Sequence, residues 1–113
     1  MTEPVSIPAL ADEHLELAHA ASSGRSAHTL HGGRQRQLRH TLIALVGGRA
    51  LGEHSAPGEA TIHVLRGRVR LRAGEELSWE LGFGDHMDIP AERHDLEAFE
   101  DAVVLLTVVV GKH

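Results

Sequence analysis

Ten histidines and sixteen carboxylates in 113 residues, with no cysteine, set the chemistry open to this chain. Imidazole and carboxylate bind divalent metals and polar small molecules, whereas thiolate sites and disulfides are excluded. His86 and Asp88, two apart, would chelate from one strand face, or form the wet side of a strand whose other face is Met87 and Ile89. His31, Arg34, Arg36, Arg39 and His40 form a basic cluster without the aromatic rings on which bases stack. The net charge of -5 also argues against nucleic acid as a partner. Protonating every histidine would carry that charge to +5, the response of a pH sensor, although histidines scattered over a solvated surface give the same count. Gly32-Gly33 and Gly47-Gly48 lack the lysine and helix of a phosphate loop, and no Ser-His-Asp order or HExxH spacing occurs.

The elements that must position these groups read as one domain, a short helix followed by many strands. Met1 to Pro8 holds two prolines and no helical period, so it is expected as an extended arm. Ala9 to about Ala21 predicts an amphipathic helix with Leu10, Leu17 and Ala21 on one face, stopped by Ser22-Ser23-Gly24. A helix this short is marginal alone and should pack on the body behind it. Strands are expected over Ala27–His31, Gln37–Val46, Ala50–His54, Thr61–Leu65, Arg68–Ala73, Leu77–Leu81, His86–Ile89, His94–Phe99 and Ala102–Val110. Turns fall at the intervening glycines and at Pro57-Gly58, with a hairpin expected around Arg66-Gly67. This spacing indicates an all-β sandwich or barrel.

Alternation sorts the faces. Arg66, Arg68, Arg70 and Arg72 fall opposite Val69 and Leu71, and pairing with Leu77–Leu81 brings Arg70 or Arg72 near Glu80. That stripe is a salt-paired outer face, or an anion-binding one. Trp79 shares a face with Leu77 and Leu81, as core or as a pocket wall touching a ligand. His40 shares parity with Leu38 and Leu42, which suggests an inward direction. Ala102–Val110 suits either a central strand or an edge that pairs two copies. It is too short to span a bilayer, and the N-terminus lacks the basic-then-apolar pattern of a secretory signal, so a cytoplasmic protein is expected.

Two segments carry a family resemblance: Gly48 to Gly67, GRALGEHSAPGEATIHVLRG, and Gly84 to His94, GDHMDIPAERH. Gly48, His54 and Gly67 fall on the spacing of the first cupin motif, with Ala56 and Ala60 where that motif has its second histidine and its glutamate. Gly84 and Pro90 fit the second motif. Glu92 replaces its glycine, His94 comes one residue early, and Ala98 takes the asparagine position. The chain therefore resembles a small single-domain cupin over roughly Thr41 to Val110. The resemblance implies a double-stranded β-helix, the jelly-roll barrel, over 27–113, with residues 1–26 as an arm and short helix packed on it.

In cupins three histidines and a glutamate bind iron, manganese, nickel or zinc. Here His54 and His94 would be the retained ligands, two of four. His40 would complete a histidine-lined pocket with them, or be a hydrogen-bonded sheet residue. A β-bulge would bring Glu59 inward; otherwise it is a solvated turn residue. His63 has the opposite parity to Ala60, Ile62 and Val64, so a regular strand turns it away. The resemblance implies a small-molecule binding module, alternatively a metal-dependent dioxygenase or isomerase with an altered ligand set. Family members often pair, so a homodimer is expected.

Overall fold

The computed structural model describes residues 3–55 and 58–110. Ala56, Pro57 and the expected turn at Pro57 lie outside the described residues. One helix, α1 (Ile7–Ala20), precedes eight strands: β1 (Arg25–His31), β2 (Leu38–Leu45), β3 (Gly58–Arg66), β4 (Arg68–Ala73), β5 (Leu77–Gly82), β6 (His86–Asp88), β7 (His94–Ala98) and β8 (Ala102–Val110). They form a five-stranded sheet in the order β1-β2-β8-β3-β6 and a three-stranded sheet in the order β5-β4-β7. All pairings are antiparallel. β8 is the middle strand of the larger sheet, so both its edges are taken and edge-to-edge pairing of copies through it is ruled out.

The helix begins two residues earlier than expected. The Ser6 hydroxyl caps it by accepting from the Ala9 N–H, and Pro8 sits in the first turn, where a missing N–H costs nothing. The buried stripe is Ala11, His14 and Ala18 rather than Leu10, Leu17 and Ala21; Leu17 is 47% exposed. Small alanines let α1 lie close to the sheet, and His14 is accommodated because its Nδ1 meets the Ser26 hydroxyl at 2.6 Å.

Two apolar clusters result. The inner one, between the sheets, contains Leu45, Ile62, Val64, Val69, Leu71, Leu81, Leu96 and Val104. The other lies outside the larger sheet, where Leu42, Ala44 and Val103 are sealed by Ala11 and Ala18 of α1. β2 is thus buried on both faces, Leu42 and Ala44 outward under the helix, Ile43 and Leu45 inward.

The expected hairpin at Arg66-Gly67 is a crossing between sheets instead, since β3 and β4 belong to different ones. Gly67 makes the crossing at φ +77, with the Asp101 carbonyl and Ala102 packed where a side chain would stand. β4 and β5 do form a hairpin. Arg70 stands opposite Glu80, whereas Arg72 stands opposite Ser78. The outer face of this sheet is salt-paired through Arg68–Glu80, Arg70–Glu80 and Arg70–Glu97.

Candidate functional site

The segment from Gly48 to His54, expected to hold a strand, runs beside β7 through isolated pairings rather than a continuous ladder. Gly48 donates to the Ala98 carbonyl at 2.8 Å, and Leu51 to Leu96 at 2.9 Å. His54 and His94 exchange both backbone hydrogen bonds at 2.9 Å. Side chains pin the same segment: the Asp95 carboxylate accepts from Gly52 N–H at 2.8 Å, and Arg25 Nη1 donates to the Leu51 carbonyl at 2.8 Å. His54 therefore sits on a loop tied to both sheets.

The two imidazoles meet edge to face, with centroids 4.6 Å apart and planes at 66°. His54 Nδ1 lies 2.8 Å from the Gly52 carbonyl, and His94 Nδ1 lies 2.9 Å from the Glu92 carbonyl. A carbonyl only accepts, so each Nδ1 carries the proton, and in the neutral ring each Nε2 keeps its lone pair. His94 is buried and His54 is exposed. Between them and Leu51, Ile62, Leu71, Ile89, Leu96 and Leu106 lies a cavity of about 10 Å³. That is about the space of one water. Leu51, His54 and Leu106 also line an open groove of about 630 Å³, walled further by Arg25, Ala27, Ile43 and Glu53. The groove is a ligand-sized space, and His54 lines both it and the cavity.

The other expected site residues lie elsewhere. His40 faces outward in register with His31 and Thr107. Its parity with Leu42 holds, but the face of Leu42 is the one beneath α1; burial on both sides of β2 made alternation a poor guide to which face is the interior. Trp79 packs half-buried against the inner core and lines neither the cavity nor the groove. Glu59 stays outward and exposed opposite Val109, because β3 is regular there and its irregularity comes later, between Val64 and Arg66. His63 turns away from the pocket, as its parity required, and meets His86 edge to face, centroids 6.2 Å apart, on the outer face. His86 and Asp88 are exposed while Met87 packs inward.

A metal would have two donors here, the Nε2 atoms of His54 and His94. At the position of the motif's glutamate Ala60 presents only a buried methyl group, and the position of its second histidine is Ala56. Among the described residues no group of three or more histidines, cysteines or carboxylates comes together. Zinc sites take four protein ligands, or three plus water, so this donor set does not fit a tightly held resident ion. Sequence reasoning overlooked the clamps Arg25 and Asp95, which are fixed by tertiary pairing, and counted Arg39 only within a basic cluster. Alternation puts Arg39 on one face with Thr41 and Ile43, and the packing of Ile43 against the inner core makes that face the inner one.

No protein-family model and no curated protein matches the chain. Its fold does match solved structures. A conserved protein of unknown function from Streptococcus pyogenes is 28% identical at a TM-score of 0.71, covering 82% of this chain and 80% of that one. A cupin superfamily protein from Desulfitobacterium hafniense reaches a TM-score of 0.77 at 15% identity, covering 98% and 94%. An RmlC-like cupin from Shewanella frigidimarina gives 0.67 at 16%, covering 81% of each. With its two antiparallel sheets closed around the segment that carries His54 and His94, this chain is a cupin-fold protein.

Proposed function

We propose that the protein is a small-molecule binding module whose ligand enters the groove beside β1 and meets the imidazoles of His54 and His94. One observation carries the reading: both rings are locked by Nδ1–H donation to backbone carbonyls, which leaves two Nε2 acceptors beside an apolar cavity. Pre-fixed acceptors surrounded by apolar wall are what a small-ligand site needs, because orientation then costs little on binding. The ligand places its apolar part on Ile43, Leu51 and Leu106 and offers a donor to Nε2.

A divalent metal shared by the same two nitrogens is the second reading, favoured by the tautomer alone, since a ligating histidine commonly donates its other N–H to a carbonyl. With two protein donors such an ion would be weakly held, and the dioxygenase or isomerase alternative would require further ligands from the substrate. Histidine-ring NMR separates the readings. Binding of small donor-bearing organic molecules in EDTA, shifting the Nε2 resonances of both rings, supports the module. Shifts produced only by added Zn²⁺ or Ni²⁺, lost in His54→Ala with His94→Ala, would replace it with the metal reading. Rings that respond to neither would end both.

A further inference from the structure

The five-stranded sheet is wider than the three-stranded one, and the mismatch leaves the inner side of β1 uncovered. Arg25, Ala27 and Thr29 point to the inner side, in register with Leu45, Ile43 and Thr41, yet all three are exposed. The wall continues onto β2, where Thr41 and Arg39 are half-buried on the same side. Arg25 is committed to the Leu51 carbonyl. Arg39 is not committed: its Nε is buried without a hydrogen-bond partner among the described residues. Its inner-face neighbours across the sheet are Val108 and, beyond it, Ala60. Neither carries a charge, and the carboxylate that the first cupin motif would put at position 60 is a methyl group.

A buried donor on a permanent cation, left unpaired, loses hydration without return, and such groups are rare enough to call for a cause. Arg39 lies one inner-face step along the strand from Thr41, whose neighbour on β8 is Leu106, and Leu106 lines both the groove and the histidine cavity. One such step is about 7 Å. The Arg39 backbone therefore stands about one residue layer along β2 from the groove, within the length of a short aliphatic chain.

The geometry points to Arg39 as the anchor for the carboxylate of a small organic acid, whose apolar stem lies over Leu106 towards His54. A carboxylate accepts from the guanidinium in a charge-assisted pair, supplying the acceptor that Nε lacks. This rests on the ligand-binding reading above and adds the ligand's class. The test compares acids with alcohols of equal chain length, butyrate with butan-1-ol and hexanoate with hexan-1-ol. Binding is followed by the ring resonances of His54 and His94, in the full chain and in Arg39→Met. Methionine keeps much of the stem's packing and removes the orphan donor, so its melting temperature should equal or exceed the parent's.

The acids are expected to bind at least about tenfold more tightly than the alcohols, and Arg39→Met to abolish the difference. Acids and alcohols binding alike in the parent, or an acid preference that survives Arg39→Met, overturns the anchor while leaving the pocket intact. Ring resonances unmoved by either series would overturn the pocket as well. A loss of melting temperature in Arg39→Met would show that Nε has a structural partner, against the orphan reading.

Discussion

His54 and His94 are joined twice over, by a reciprocal pair of backbone hydrogen bonds at 2.9 Å and by edge-to-face imidazoles 4.6 Å apart. The backbone bonds stitch a loop of one half of the roll to the first residue of β7. The ring contact then puts the same junction in the wall of the small cavity, which shares His54 with the groove. Fold and site thus share one joint, and the two residues differ mainly in exposure.

That difference predicts unequal costs. His94 is 3% exposed, and its Nδ1–H satisfies the Glu92 carbonyl. His94→Ala opens a hole and orphans an acceptor, for a loss of about 2–3 kcal/mol. His54 is exposed, so His54→Ala should stay within about 1 kcal/mol. Urea denaturation of both variants checks the order, and equal losses would mean that the joint is held by its backbone alone.

Much of this was legible in the chain because strand alternation and turn glycines are local signals. Val69 and Leu71 point inward and Arg68 and Arg70 outward, as their alternation requires, and His63 is turned from the pocket by parity alone. His40 was not legible, because Leu42 and Ile43 are both needed in cores on opposite sides of one strand. Parity says which residues share a face but not which face is the interior. The crossing at Gly67 was equally hidden, since a turn glycine serves a hairpin and a change of sheet alike. The Nδ1 locks on His54 and His94 depend on the carbonyls of Gly52 and Glu92, whose directions are set by the folded backbone.

The sheet crossing gives a second prediction. A Cβ at Gly67 would collide with the Asp101 carbonyl oxygen, whereas one at Gly48 would meet nothing within 4 Å. Both glycines have positive φ, +77 and +89, so alanine pays backbone strain of about 1–3 kcal/mol at either. Gly67→Ala also has to displace backbone, and should lower the melting temperature clearly more than Gly48→Ala. Equal shifts would show that the crossing yields without resistance.

The residue on the far side of that crossing titrates. Asp101 is held below its ordinary carboxylate value of 3.8, first by the hydrogen bond its Oδ1 accepts from Gly47 N–H and then by His19. A carboxylate with a lowered folded value binds fewer protons in the native state than in the unfolded one. Its stabilisation is therefore complete above the unfolded value and fades as pH falls through the folded one. The stability gap between parent and Asp101→Ala should be constant at neutral pH and close in acid below pH 3.8. The side chain is about half exposed and water screens it, so the gap should be small. Carboxyl ¹³C titration apportions the cause: with Gly47 the larger influence, His19→Ala should return Asp101 only part of the way. A full return to the ordinary value would make the histidine, not the backbone amide, the group that holds this corner closed.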